Sequence, residues 1–547
     1  MSGHDIFHIA IRQNFYRDSM QLLKISDSTR RASRGVVEAS VIMATATNKE
    51  ILMRRGFRPS AVNEAQESDI IIAIRAGDEE AVRLALLEAD RLLESPQGAS
   101  RQDEHKAGDL DSALRSMPDA NLALVSIPGD HVREVSLMLV ERGVHQQIFS
   151  DHVPVEDELE IKTQAAGKGV LVLGPGAGTS IINGKGIGFS NAVRIGPVGI
   201  VAAAGTGLQE VSTLLDHSGI GVKYGLGVGG NDPKDKIGGI MMMQCIKILE
   251  SYADIKVVGI VSKPPSPSVQ EKIEDYIARD GKKKYVLAFI GGAKSEKKSD
   301  RITRVNTLAS AVLATARQLG KEQIAQAVAQ TYIPPEKLLA LLEGEWTKLA
   351  QGQKRIRALY TGGTFTYEAE VILGSILQGE PIYSNSPIMD IKQLDDSFKS
   401  QETSIVDLGE EEFTRGRPHP MIDPTIRRFR IAEEAADPDV AVLLMDFVLG
   451  YGSHPDPVGA VLNEISDAKR AAEKAERHLC VIAHVCGTSG DLQGYAQSIE
   501  KLTRAGCVVL PTNAMAAVAS AVVARRGKVD IDRIYAQYLT VDGGSMK

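Results

Sequence analysis

Cysteine is scarce: the 547 residues hold four, Cys245, Cys480, Cys486 and Cys507, with no CxxC spacing. That excludes a disulfide framework and a structural zinc site built on paired cysteines, and no metal site is expected. The thiols read as reduced and packed; Cys486, between an apolar strand and a glycine loop, is the one with surroundings that suit reactivity. Long basic runs are missing too. Lys plus Arg number 63 against 70 Asp plus Glu, and no basic run exceeds Lys282-Lys283-Lys284. A nucleic-acid partner is therefore not expected. No stretch reaches the roughly 18 to 20 apolar residues of a membrane span, and Met1 to Arg12 lacks a signal-peptide core, so a soluble, cytoplasmic protein is expected. With 43% apolar and 24% charged residues, little of the chain can be disordered.

What is present is alternation of strands and helices. A chain of 547 residues at about 100 to 200 per domain predicts three or four domains. Strands at Phe7 to Ile11, Val36 to Met43 and Ile70 to Arg75 alternate with helices at Arg17 to Ala32, Asn48 to Arg55 and Glu79 to Leu93. They predict a small α/β N-terminal domain over 1–95. Ser95 to Gly108 is polar and without periodicity, a linker. Over 109–194, strands at Ala120 to Ile127, Gln147 to Phe149 and Gly169 to Leu173 alternate with helices, as in a Rossmann-like parallel sheet. Ligands on such sheets sit at strand ends. There the sequence places the loop Gly174-Pro175-Gly176-Ala177-Gly178-Thr179-Ser180.

The most informative feature is an internal repeat. Gly205, Thr206 and Glu210 recur as Gly363, Thr364 and Glu368, each at an offset of 158 residues. The strands Ile255 to Val261 and Val440 to Met445 occupy equivalent places after these loops, as do Tyr285 to Ile290 and Leu479 to Val485. The expected architecture is a multidomain α/β chain with two flavodoxin-like domains, 195–323 and 355–540, joined by a helical linker over 324–354.

A strand that ends in Gly-Thr and turns into a helix leaves backbone N–H groups in front of a positive dipole end, an anion cradle. Gly205, Thr206 and Gly207 in one copy and Gly362, Gly363 and Thr364 in the other are the candidates. The alternative is that they only cap their helices; two matched copies weigh against it. Gly229, Gly230 and Asn231 supply a further glycine loop after the next strand. In the second copy that region leads to Arg415-Gly416-Arg417-Pro418-His419-Pro420, closed by Asp423-Pro424. Two arginines, a histidine and an aspartate fenced by prolines form a rigid loop able to hold an oxyanion and move a proton. Lys263 sits near the same sheet edge as a possible anion ligand. His454, Asp456 and His484 read as structural, and His4, His105 and His478 carry no signal.

Gly363-Thr-Phe-Thr-Tyr-Glu368-Ala is similar to a loop of succinyl-CoA synthetase α subunits, and Gly225 to Pro233 resembles their Gly-Ile-Gly-Gly-Asp-Pro loop. Gly174-Pro175 with Gly178 looks like their Gly-Pro-Asn-Cys-Pro-Gly loop, which makes Gly174, Gly178, Thr179 and Ser180 a CoA-type loop by resemblance. Ser262 to Pro265 and Gly416 to Pro424 resemble the FdrA family over nearly the whole chain. One departure matters. The synthetases carry a phosphorylated histidine in a Gly-His-Ala-Gly loop after the strand matching Tyr285 to Ile290. This sequence has no histidine between His217 and His419, and offers Gly487-Thr-Ser-Gly-Asp491 in the second copy instead.

The resemblance implies a subunit of an oxamate carbamoyltransferase in anaerobic allantoin and purine breakdown, exchanging oxalurate and phosphate for oxamate and carbamoyl phosphate. The alternatives are an NDP-forming acyl-CoA synthetase whose nucleotide domain lies on another subunit, and a scaffold without catalysis. Phosphate or carbamoyl phosphate is then a substrate, with CoA, ADP or ATP and Mg2+ as further candidates. Other subunits of one complex, or further copies of the chain, are the expected partners. The roles that follow put phosphate at Gly363-Thr364 between Arg415 and Arg417, with His419 as acid/base and Glu368 orienting it.

Overall fold

Ile70-Ile71-Ile72-Ala73-Ile74 sends alternate side chains to opposite faces of a strand, and all five are fully buried. Ile70, Ile72 and Ile74 pack with Leu22, Ile25, Val82 and Leu93 of the helices Ser19–Arg31 and Glu79–Glu94. Ile71 and Ala73 pack on the other side with Leu52, Phe57 and Val62. The strand Ile70–Ala76 is the centre of an antiparallel sheet, between Ile6–Arg12 and Val36–Met43. Buried on both faces, it is apolar without interruption.

The computed structural model describes residues 5–15, 17–94, 108–292, 299–321 and 333–539. The linker read at Ser95 to Gly108 lies outside them but for Gly108, as do 324–332 of the one read at 324–354, His4 and His105; the helix Pro335–Trp346 falls within. Two units divide the chain. One is Met1–Lys106 with Leu408–Phe429; the other is Ala107–Asp407 with Arg430–Lys547. The segment Leu408–Phe429, expected inside the second repeat, thus belongs with the N-terminal sheet. Thr47 Oγ1 donates to Glu412 O at 3.3 Å and Asn48 Nδ2 to Gly416 O at 3.4 Å.

In the second unit, Leu122–Val125, His145–Ile148 and Val172–Leu173 form a three-stranded parallel sheet. Two seven-stranded sheets follow. The first runs in the order Ile302–Arg304, Lys284–Phe289, Val257–Ser262, Val198–Ala202, Val222–Gly227, Thr179–Ile182, Lys185–Gly188. The second runs Val508–Leu510, Cys480–Cys486, Val440–Val448, Arg355–Tyr360, Thr403–Asp407, Ile382–Ser384, Lys392–Gln393. The first five strands of each order correspond, all parallel. Their outer pairs differ in origin: the first takes an antiparallel hairpin that precedes its central strand, the second takes parallel strands that follow its Gly363 helix. The nine residues of Val440–Val448 are all buried, as a central parallel strand requires. Among the described residues no helix is long and apolar enough to cross a membrane.

The hairpin corrects one expectation. Thr179 and Ser180 are not in a loop; they begin the strand Thr179–Ile182, paired with Gly188 and Ile187, and are 2% and 0% exposed. Only Gly174 to Gly178 turns at the sheet edge. The alternation of Thr179-Ser180-Ile181-Ile182 is too short to announce a strand against so glycine-rich a lead-in.

Candidate functional site

Val198–Ala202 and Arg355–Tyr360 are the central strands of the two sheets, and each feeds a helix: Gly205–His217 and Gly363–Ile376. Neither N-cap residue, Ala204 or Gly362, closes its own helix with a side chain. The two meet. Thr364 N donates to Thr206 Oγ1 at 3.3 Å. A Cβ on Gly207 would lie 2.9 Å from Thr364 Cγ2, and one on Gly362 would lie 2.6 Å from Thr206 Cγ2. The glycines at these two positions are therefore required by the approach of one helix to the other. Gly205, by contrast, is exposed at the start of its helix and Gly363 half-buried. Two positive helix ends thus converge with Thr206 and Thr364 between them, a place suited to an oxyanion.

One turn further in, Glu210 and Glu368 are both buried. Glu210 Oε2 lies 2.8 Å from His484 Nε2, while His484 Nδ1 donates to Leu510 O at 3.2 Å. Both ring nitrogens face acceptors, so a proton beyond that of neutral imidazole is shared between Nε2 and Glu210. Burial works to lower the His484 imidazolium, yet Glu210 beside it wins and raises it above the usual histidine range. Glu368 is held differently. Its Oε1 accepts from Leu308 N at 2.7 Å and its Oε2 from Asn513 Nδ2 at 2.8 Å. Burial pushes its carboxyl up to about 7 against those hydrogen bonds, and the charge of Glu210 adds to the rise. Glu368 thus takes its orientation from Leu308 and Asn513, within its own unit. Glu210, His484 and Asn513 were not among the expected site residues. A lone histidine in the apolar strand Cys480–Cys486 was the available signal.

The neighbouring loops are locked. Gly229 has φ +86°, and a Cβ there would lie 2.5 Å from Pro175 O, so the Gly174 and Gly229 turns abut. Asn231 spends its side chain on Glu158 (3.1 Å) and Lys234 (2.9 Å). Beneath it Lys162, wholly buried, donates to Glu158 Oε1 (2.7 Å), Val228 O (2.9 Å) and Asp232 Oδ2 (2.9 Å). Lys263 Nζ reaches Tyr367 OH at 3.3 Å and lies 5.1 Å from that ring's centroid. A Cβ on Gly230 would sit 3.7 Å from the same Nζ. In the Gly487 loop, Asp491 accepts from Asn191 Nδ2, Ala192 N and Thr488 N, each at 2.8 Å. That loop ties the second repeat to the stretch that leads into the first. Cys486 is buried, which drives its thiol far up and leaves it unreactive.

Arg415, Arg417 and His419 belong to the other unit. Arg415 is exposed; Arg417 Nη2 pairs with Asp423 Oδ2 at 3.2 Å; His419 Nδ1 accepts from Met421 N at 3.3 Å. With Nδ1 accepting, neutral His419 carries its proton on Nε2.

The stretch that the resemblance gave to CoA is only in part a loop. The hydroxyl groups of Thr179 and Ser180 belong to buried strand residues, and a Cβ on Gly178 would lie 3.3 Å from Phe189.

Residues 359–523 match the CoA-ligase family model, and residues 2–109 match that of the AllF heavy metal-associated domain. YahF of Escherichia coli K12 is 35% identical over 501 residues, 92% of this chain and 95% of YahF. The α subunit of the ADP-forming succinate–CoA ligase of Methanothermobacter thermautotrophicus is 26% identical over 178 residues; the alignment takes in 32% of this chain and 58% of that subunit. Among solved structures, ATP citrate lyase from Methanothrix soehngenii in complex with citrate and coenzyme A aligns at 18% identity over 40% of each chain, with a TM-score of 0.31. At 35% identity over nearly the full length of both chains, the protein belongs to the same family as YahF, with a CoA-ligase domain of succinyl-CoA-synthetase type behind an AllF-type N-terminal domain.

Proposed function

We propose that this protein is a subunit of a CoA-ligase-type enzyme that makes or breaks an acyl–phosphate bond. The observation carrying this reading is the meeting at Thr206 and Thr364 of two helix N-termini that their own N-cap residues leave open. Phosphate held there has amide and hydroxyl donors on both sides, and these oppose the charge that builds as a phosphate oxygen attacks an acyl carbon. Glu368, which holds its proton close to neutral pH, and the proton shared by His484 and Glu210 keep the floor of the site from repelling the anion. The match to the CoA-ligase model and the likeness to succinate–CoA ligase α subunits favour an acid–thiol ligase working with a nucleotide-binding subunit.

A second reading keeps the acyl–phosphate chemistry and changes the acceptor. No histidine stands between His217 and His419, so the phosphohistidine loop of the ligases has no counterpart after Lys284–Phe289. Direct transfer between phosphate and an amide nitrogen needs none. An oxamate carbamoyltransferase subunit of FdrA type is such an enzyme.

The deciding experiment mixes the full chain with the products of its neighbouring genes and offers two substrate sets. CoA- and carboxylate-dependent ADP release identifies the ligase; conversion of carbamoyl phosphate and oxamate to oxalurate and phosphate identifies the transferase. If neither reaction occurs, or if Thr364→Val leaves the observed rate unchanged, the helix-end site is not where the chemistry happens.

A further inference from the structure

The N-terminal unit matches a heavy metal-associated domain, yet its residues do not fit a metal. The first cysteine of the chain is Cys245. Among the described residues no group of three or more His, Cys, Asp and Glu side chains is placed to hold an ion. What the unit gathers instead is guanidinium. Arg417 is 6% exposed and pairs through Nη2 with Asp423, while its Nη1 is buried with no hydrogen-bond partner. Arg55, half-buried on the far end of the helix Ala46–Arg54, pairs with Glu38, which Arg75 shares at 3.8 Å. Arg417 and Arg428 are both close enough to Arg55 to add to the lowering that burial imposes on it. The segment carrying Arg417 is pressed onto this helix: Gly416 has φ +73°, and a Cβ there would lie 2.7 Å from Thr45 Cγ2.

A buried donor of a charged group left without an acceptor costs more than the roughly 1 to 3 kcal/mol of a neutral one, and neighbouring guanidiniums repel. Both costs fall when an anion enters. We propose that the seam between the helix Ala46–Arg54 and the segment Leu408–Phe429 is an oxyanion site, in which Arg417 Nη1 and the Arg55 guanidinium take a carboxylate or phosphate group. Guanidinium suits either, because its fork presents parallel N–H donors to two oxygens. The same groups repel a metal cation.

The test uses the full chain. Inorganic phosphate, acetate and oxalate are titrated separately, and amide hydrogen exchange is read in peptides covering residues 45–56 and 408–428. Protection of both segments by at least one anion is expected, phosphate or the carboxylates being distinguished by which arm saturates. Arg417→Gln should weaken that anion about tenfold or more, equivalent to roughly 1.4 kcal/mol, with Arg417→Lys intermediate. The exchange readout on the unaltered chain stands even if a variant fails to fold. No protection by any of the three anions overturns the proposal, as does equal protection in Arg417→Gln, or protection of these segments by Zn2+ or Cu+ instead.

Discussion

Glu210 and Glu368 occupy the same place in two repeated helices, one turn behind Thr206 and Thr364, and have been given opposite company. Glu210 faces an imidazole across the repeat boundary and shares a proton with it. Glu368 faces an amide N–H and a carboxamide, and its carboxyl rises to about 7. Duplication of a motif therefore did not duplicate a chemical group. Two adjacent carboxylates in a buried space cannot both be plain anions, and the pair divides the problem: one is matched by a cation, the other holds its own proton.

The largest effect should come from removing the imidazole. His484→Leu leaves Glu210 buried without its partner and is expected to cost about 3 to 5 kcal/mol in urea denaturation. A loss below about 1 kcal/mol would mean that the His484–Glu210 contact adds no more than an ordinary hydrogen bond. Next is Glu368→Gln, read as stability against pH. The folded protein binds the Glu368 proton more tightly than the unfolded chain, where the ordinary value is 4.5. Its contribution therefore falls as pH rises from 4.5 to about 7 and is flat above that. That slope amounts to roughly 3 to 4 kcal/mol and should vanish in the variant; an unchanged slope would place the titration elsewhere. Gly362→Ala drives a methyl group into Thr206 and should cost about 1 to 3 kcal/mol by overpacking, with the same change at Gly379, where nothing lies within 4 Å but φ is +83°, separating contact from backbone strain. The smallest effect belongs to Thr206→Val, which removes one hydrogen bond to Thr364 N and is expected to cost about 1 kcal/mol. No change in melting temperature would show the helix ends to be held by packing alone.

The offset of 158 residues located Thr206 and Thr364, and the structure puts them in contact. The same offset marked Glu210 and Glu368 but could not give their partners. His484 is 274 residues from Glu210 and Leu308 is 60 from Glu368, and no periodicity encodes such pairings. Strand and helix order in the N-terminal unit was legible because the strands are rich in Ile and Val, most of all Ile70–Ala76, and the long helices carry an amphipathic face. The placement of Leu408–Phe429 was not, since a segment's neighbours in sequence lie in the second repeat and only its side-chain contacts assign it elsewhere. Asn231 looked like a ligand for the same reason that it is a good loop residue: its amide satisfies Glu158 and Lys234, and sequence does not say which partner an amide has chosen.

The division of the N-terminal unit between Met1–Lys106 and Leu408–Phe429 has a consequence for biosynthesis. Domains usually fold in the order in which the ribosome delivers them. Here the first sheet is delivered early, but the segment that packs against Thr45, Thr47 and Asn48 arrives only after residue 408 of 547. Nascent chains released before that point carry an N-terminal unit with one side unfinished, so quality control can read completion of the first unit as a report on translation of the third quarter of the message.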